Sequence, residues 1–503
     1  MATESSDFVK DADRSRQSPV DFRLRKLNAL REKGIDPYPL RFHRTHTAHA
    51  ALDSFEALST SKETVRLAGR IHTVRKMGKA AFAHINDASG SIQLYLRLNI
   101  LGDESYKTVV DLYDLGDIIG AEGVLFRTRT GEATLEVHRI VMLAKALQNP
   151  PEKYHGLRDT ETRLRQRYLD LATNPEVRHA FTQRSHVVRE VRAFFDARDY
   201  LEVETPVLQP LYGGAFARPF ITHHNALDQD FYLRIATELY LKRCLIGGFE
   251  RVYEIGRTFR NEGMDRDHNP EFTMLEAYQA YADYSDMMSL LEELYYRVAL
   301  AVHGSPQMPY GDETLDFTPP WRRIKLHEAI ESATGIDIYA YPDTDALLAQ
   351  VQSRGIGVPE RVTWSTLVDE LLAECVEPTL MQPTLLLDYP VALSPLAKRR
   401  EDDSRLVERF EAFVGGLEIA NAFSELNDPL DQRQRLEEQV KERAAGDEEA
   451  QPLDEDFLTA LEYGMPPTGG IGIGIDRMAM LFTNSASIRD VILFPPVRTQ
   501  EAE

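Results

Sequence analysis

Cysteine is nearly absent from this chain: Cys244 and Cys375 are the only two in 503 residues. Both fall in segments patterned as helices, which argues against a disulfide framework or a cysteine-rich zinc site. No run approaches the ~20 apolar residues that a membrane-spanning helix needs. Met1 to Arg16 is charged and polar, without the apolar core of a secretory signal. The cytoplasm is therefore the expected compartment, with no membrane association. An excess of basic charge is missing too. Lys and Arg number 58 against 80 Asp and Glu, for a formal net charge of -22. That excludes a protein whose whole surface coats nucleic acid, but a local basic patch on RNA remains open. Internal repeats and low-complexity tracts are also lacking.

What is present reads as a globular protein of two or three domains, since 503 residues exceed one hydrophobic core. Residues 1–60 form an N-terminal extension. Within it, Phe22, Leu24, Leu27 and Leu30 recur at helical spacing among basic residues, and Gly34, Pro37 and Pro39 end the run. Such a helix either packs on the surface or faces RNA, and the segment alone supports both. Residues 61–148 change to short β-rich runs broken by Gly90 and Gly131 turns, with one helix between Ser105 and Leu115. That order suits a five-stranded Greek-key barrel, the OB-fold, which commonly binds oligonucleotides. A linker with Pro150 and Pro151, from Leu147 to Tyr154, leads into a larger body over residues 149–503. There a long amphipathic helix from Glu176 to Asp199 runs into the expected strand YLEVETPVL. Helices are expected at Tyr284–Val302 and Asp428–Ala445, and a mostly helical insertion at about 337–380. The fold class is α+β: a barrel, then an antiparallel sheet flanked by helices.

Two segments carry the chemistry. In FRNEGMDRDHNPEFTMLE (259–276), one strand ends at Arg260–Glu262 and a charged loop leads into a second strand. By itself this is also the pattern of a cross-strand ion pair. In GGIGIGIDRMAMLF, Gly470, Gly472 and Gly474 alternate with Ile471, Ile473 and Ile475, so one strand face carries no side chains. A bare face marks close approach of a ligand or another backbone. The glycine spacing is that of a strand, not of a GxGxxG turn. Asp476 is expected to cap the helix that follows, leaving Arg477 in its first turn.

FRxE…H…F…E and GxGxGxDR together resemble motifs 2 and 3 of the class II aminoacyl-tRNA synthetases. YLEVETPVL resembles motif 1, with Pro206 at the dimer-interface proline and Asp199 where a glycine is frequent. A barrel ahead of the catalytic body is similar to the subclass for aspartate, asparagine and lysine. The strings at 153–171, 213–227, 235–243, 269–278 and 421–429 resemble its lysyl members, so the likeness runs from about Asp21 to Val497.

The resemblance implies a class II catalytic domain that activates L-lysine with ATP and transfers it to tRNA(Lys), working as a homodimer. It assigns Arg260 to the α-phosphate and the amino-acid carboxylate, and Arg477 to the γ-phosphate and adenine. Phe272 would take the other adenine face, with Glu262 and His268 on the nucleotide. Glu411 and Glu418 would hold Mg²⁺ against the phosphates. Glu238 and Glu276 would meet the amino groups of lysine, while Tyr278, Asn421, Phe423 and Glu425 form the side-chain pocket and Gly214 a close backbone contact. Arg75, Phe82, Gln93 and Glu132 would read a uridine-rich anticodon. For Phe82, Gln93 and Phe272, ordinary packing is the competing reading. A pocket of unpaired buried acids would reject neutral and shorter amino acids. Thr237 departs from a frequent proline, and Ala420 and Ala422 from frequent glycines that would widen the pocket.

Overall fold

The computed structural model describes residues 19–150, 157, 159–359, 361–444 and 450–498. The polar tail before residue 19, linker residues 151–154, residues 153–156 and 158 of the 153–171 string, and Ala445 lie outside the described residues. The chain forms two compact units, divided between Gly156 and Leu157.

In the first unit, β1 (Val65–Met77), β2 (Ala80–Asn86), β3 (Ser91–Arg97), β4 (Ile118–Arg127) and β5 (Ala133–Ala144) close a barrel in the order β1-β2-β3-β5-β4. The pleat sorts the residues. Ala81, Ala83, Ile85, Ile92, Leu94 and Leu96 are buried inside, while Phe82, His84, Gln93 and Tyr95 alternate with them. The expected helix runs from Asp103 to Leu112, after a single turn at Leu98–Leu101. The basic N-terminal helix α1 (Pro19–Glu32) packs on this unit: Leu30 joins the barrel core. Arg23 donates to the carbonyls of Leu115 and Ala146, and Lys26 pairs with Asp114 at 2.6 Å.

The second unit is built on an eight-stranded sheet. Its strands are β6 (Leu201–Glu202), β7 (Arg251–Phe259), β8 (Glu271–Ala280), β9 (Arg322–Lys325), β10 (Thr384–Leu387), β11 (Arg409–Val414), β12 (Leu417–Ser424) and β13 (Thr468–Gly474). They lie in the order β9-β10-β11-β12-β13-β8-β7-β6, antiparallel except for the outer pairs β9/β10 and β6/β7. One face carries the core. Leu275, Ala277, Ile419, Ala422, Ile471 and Ile473 pack with Val191 and Phe195 of helix α2 (Pro175–Asp196) and with Leu291, Leu294 and Tyr295 of helix α3 (Tyr284–His303). The opposite face holds the candidate site. Between residues 337 and 380, helices Thr344–Ser353 and Trp364–Leu371 surround a separate apolar cluster with Leu347, Val351 and Leu367. Among the described residues no helix is long and apolar enough to cross a membrane.

Three expectations need correction. YLEVETPVL is not one strand: only Leu201–Glu202 and Leu208–Gln209 are strand, with Pro206 between them. The first pairs with β7 and the second with the strand Gln229–Leu233 of a separate sheet; between them the Thr205 N–H turns to the Glu254 carboxylate and Pro206 has no N–H to donate. Asp476 does not cap its helix. Gly474 is the N-cap of Ile475–Phe482 and Asp476 lies in the first turn, where its carboxylate accepts the backbone N–H of Thr273 at 2.6 Å and pairs with Arg184. Ala422 belongs to the apolar core and does not line the cavity, whereas Ala420, opposite Ile473 in register and packed in the same core, also borders the cavity. At Asp199 the backbone has φ +59°. Such a left-handed turn favours glycine but is also open to aspartate, which accounts for the departure from the motif.

Candidate active site

Strand pleating gathers the site. Along β8, Leu275 and Ala277 point into the core, so Met274, Glu276 and Tyr278 point the other way and line a cavity of about 630 Å³. The neighbouring strand β13 pairs Gly470 with Tyr278, Gly472 with Glu276 and Gly474 with Met274. A Cβ on Gly470 would fall 1.8 Å from Glu425 Oε1 and 2.6 Å from the Tyr278 ring. The bare strand face is therefore the floor on which those groups rest. On the far side of β13, Asn421 and Phe423 of β12 lie opposite Gly472 and Gly470. Arg409 and Glu411 of β11 complete the wall.

One end of this floor is acidic. Glu238, Glu276 and Glu425 all line the cavity and all are buried. Glu276 accepts the backbone N–H of Thr237 at 2.9 Å and the Tyr278 hydroxyl at 3.0 Å. Burial, then the negative charge of Glu238, pushes its carboxyl up to about 7. The expectation of unpaired acids fails for the other two. Lys242, on helix α4 (Glu238–Ile246) one turn after Glu238, donates to Glu238 at 2.5 Å and forms an ion pair with Glu425. Burial opposes the charge on Lys242, but the two carboxylates outweigh it and hold its pKa above the usual value. Gly214, with φ +87°, passes so close to this group that a Cβ would stand 3.0 Å from Glu238 Cβ. Thr237 is buried, and its hydroxyl finds no partner among the described residues.

The other end carries two arginines, Arg260 and Arg477, among the acids Glu262, Glu411 and Glu418. Four residue steps of strand lead from Gly470 to Gly474, ~13 Å at the usual rise, and Arg477 follows at the start of helix α5 (Ile475–Phe482). Arg477 donates to the Glu418 carbonyl at 2.7 Å and its carboxylate at 3.1 Å. It also meets His268 Nε2 at 3.3 Å. His268 Nδ1 lies 2.9 Å from Asp265, so that N–H donates to the acid and leaves Nε2 to accept. The Arg260 guanidinium stands 5.2 Å from the Phe272 ring centroid, a cation–π distance. Its Nε is buried without a partner among the described residues, and burial lowers its pKa. A buried unmatched donor is costly, and an anion placed there would satisfy it.

Glu411 and Glu418 come from neighbouring strands across the Gly415–Gly416 turn. Arg409 holds Glu411 at 2.5 Å, and the Tyr389 hydroxyl donates to it at 2.7 Å. Among the described residues no group of three His, Cys, Asp or Glu is arranged to hold a metal by itself. Two carboxylates that rely on a substrate's phosphates for the remaining ligands fit Mg²⁺, which rarely takes an all-protein cage.

Residues 159–498 match the family of class II tRNA synthetases for D, K and N. The chain belongs to that family. Residues 65–143 match the OB-fold nucleic acid binding domain. A lysine–tRNA ligase of Roseiflexus castenholzii is 58% identical over 95% of this chain and 98% of its own length. One of Chloroflexus aurantiacus is 56% identical over 96% and 98%. One of Pelotomaculum thermopropionicum is 54% identical over 99% of both chains.

In this synthetase one cavity brings together Gly214, Glu238, Arg260, Glu262, His268, Phe272, Glu276, Tyr278, Glu411, Glu418, Asn421, Phe423, Glu425 and Arg477. Pro206 is not among its lining residues. The barrel residues form a second group: Arg75 pairs in register with Phe82, and Gln93 donates to Glu132 at 2.7 Å. Sequence reasoning missed Lys242, and Arg409, which links Glu411 to Asn421 at 3.0 Å. It also missed Tyr95, stacked on Phe82 at 4.6 Å and 19°, and His84, 3.0 Å from Glu132. The alternation along β3 could have pointed to Tyr95; no local pattern separates Lys242 from a surface lysine.

Gly470→Ala is expected to lower amino-acid-dependent ATP–pyrophosphate exchange by ~10²-fold, because its methyl would displace the Glu425 carboxylate. ATP binding should persist. Parental exchange rates in that variant would show the glycine floor to be dispensable.

Proposed function

We propose that the chain is a lysine–tRNA ligase. It joins L-lysine to ATP to give lysyl-adenylate and pyrophosphate, then transfers lysine to the 3′-terminal adenosine of tRNA(Lys). The supporting observation is one cavity with three buried carboxylates at the Gly470 end and, toward Gly474, Arg260 and Arg477 beside the acids Glu411 and Glu418, which already have arginine partners. A dicationic amino acid and a polyanionic nucleotide are the two partners such a charge split favours.

In this reading the lysine carboxylate attacks the α-phosphate, the bond to pyrophosphate breaks, and positioning with charge neutralisation supplies most of the rate. Arg260 binds the carboxylate and the α-phosphate through its planar fork, and Arg477 meets the γ-phosphate and adenine. Phe272 stacks on the adenine, with Glu262 and His268 against the nucleotide. Glu411 and Glu418 would hold Mg²⁺, which neutralises phosphate charge when bound. Glu238 and Glu276 take the amino groups of lysine. Tyr278, Asn421, Phe423 and Glu425 enclose its side chain, and Gly214 approaches by its backbone. An aspartate or asparagine substrate, the alternative within the family, would bring no second cation to these acids.

In the barrel unit, Arg75, Phe82, Gln93 and Glu132 read the anticodon, with Phe82 stacking on a base. A second copy of the chain binds around Pro206, where Leu201, Val207 and Leu208 are 46%, 40% and 47% exposed. The reaction belongs in the cytoplasm.

ATP–pyrophosphate exchange assayed with each amino acid tests the whole reading: lysine should stimulate it, and stimulation by aspartate or asparagine instead would overturn it. Arg260→Ala should cost ~10²-fold or more in exchange while tRNA binding stays near normal; near-normal exchange contradicts the role. Lysine use should depend on pH. Glu276 is neutral below about 7 and anionic above it, so the lysine KM should fall as pH rises through 7, by up to ~10-fold per unit below it. A lysine KM that stays level from pH 6 to 8 would remove Glu276 from the pocket. Phe82→Ala should weaken tRNA binding by ~1–3 kcal/mol and spare exchange; unchanged aminoacylation would make the ring an ordinary packing residue.

A further inference from the structure

Lys242 is wholly buried, yet it does not line the cavity. It stands behind the carboxylates that do. On its own helix it faces Glu238, and from the end of β12 it meets Glu425. Its ammonium lies 5.5 Å from the Phe423 ring centroid. Glu276 and Tyr278 reach the same acids from β8. Arg409, the next cation toward β11, is already committed to Glu411, Asn421 and the Leu393 carbonyl.

We infer that Lys242 is the resident counter-ion of the amino-acid pocket and sets how much positive charge a substrate must bring. This rests on the lysine reading above. Three buried carboxylates with one fixed ammonium leave two formal negative charges. A substrate with an α- and an ε-ammonium supplies two positive ones; an amino acid with a neutral side chain supplies one. Removing a partner from a buried ionic cluster leaves an uncompensated charge, which is strongly unfavourable. Selectivity for a dicationic substrate then follows from the charge balance of the cluster as well as from its shape. The ammonium also orients the two acids it touches, since each carboxylate has one oxygen turned to Lys242 and another left for the cavity. Glu425 Oε1, close above Gly470, has no hydrogen-bond partner among the described residues. Lys242 is in this sense a specificity-determining residue that acts through Glu238 and Glu425.

The test uses the full-length enzyme and reads the KM for lysine and for ATP in pyrophosphate exchange between pH 6 and 9, with thermal unfolding as a check on folding. Lys242→Met should raise the lysine KM about 10-fold or more at pH 7, leaving the ATP KM within about twofold. Its lysine KM should go on improving at pH values where the parent has levelled off, because the unbalanced third carboxyl holds a proton to higher pH. Glu238→Gln combined with Lys242→Met removes one charge of each sign. It should bind lysine better than Lys242→Met alone and, having no uncompensated charge, should fold even if the single variant does not. Equal losses in lysine and ATP KM, a parental pH profile in Lys242→Met, or a double variant worse than both single ones would overturn the inference and leave Lys242 a structural strut. Glu425→Gln separates the two readings. If it leaves the lysine KM untouched, the pocket assignment itself falls; if it raises that KM while Lys242→Met does not, only the counter-ion inference falls.

Discussion

Burying three carboxyl groups on one face of a sheet is the constraint around which the catalytic unit is arranged. Each carboxylate taken from water costs several kcal/mol unless charge or hydrogen bonds repay it. Here the return comes from Lys242, the Thr237 N–H and the Tyr278 hydroxyl. Even so, Glu276 is pushed up to about 7. The cluster is therefore only partly compensated: three carboxyls line the cavity with one ammonium behind two of them. The arrangement also explains the rigid surroundings. A strand floor, a helix carrying Glu238 and Lys242 one turn apart, and a packed core beneath keep the acids from moving apart to relieve their repulsion.

The glycines of β13 do for shape what Lys242 does for charge. Leu275 and Ala277 on β8 and Ile471 and Ile473 on β13 give the sheet a continuous apolar underside. The same two strands must leave room above for Tyr278, Glu276 and Met274. Only a strand whose outward positions lack side chains satisfies both demands, since a Cβ at 470 or 472 would meet Glu425, Tyr278 or Met274 at 3.0 Å or less. Core packing and site geometry are thus two faces of one alternating pattern, which explains how a period of two can carry function as well as fold.

That pattern is why so much was legible. The alternation at 470–475, the paired strands around Arg260 and the barrel runs are local, and local periodicity survives into the structure. What was not legible depends on contacts distant in sequence. Lys242 and Glu425 are 183 positions apart and meet only once the sheet and helix α4 are assembled. Asp476 is a helix-capping type of residue in a capping-like place, but Thr273 and Arg184, brought in by tertiary packing, compete for its carboxylate and win. The motif 1 segment is not one strand for a different reason: its β propensity is ordinary, but its two ends pair in different sheets and Thr205 turns to the Glu254 carboxylate between them, which propensity does not register. That Ala422 lies away from the pocket was not legible either, because composition cannot tell which face of β12 points up; the register with β13 does.

The barrel solves a different problem under the same acidic net charge of -22. With acidic charge dominating the chain, phosphate contacts must come from local basic residues, and stacking on aromatic rings adds contacts that do not depend on net charge. The outward face of β2 and β3 meets that need. Phe82 and Tyr95 stack at 4.6 Å, and Phe126 lies 5.8 Å beyond Tyr95, giving an aromatic surface for unpaired bases. Beside it, Glu132 accepts from Gln93 at 2.7 Å and meets His84 at 3.0 Å, while Thr134 donates to the Gln93 carbonyl at 2.8 Å. That network holds the Gln93 amide in one orientation. An amide whose donor and acceptor ends are fixed in advance can discriminate a base edge, whereas a freely rotating one would accept either polarity. These polar groups are thus ordered within the protein itself.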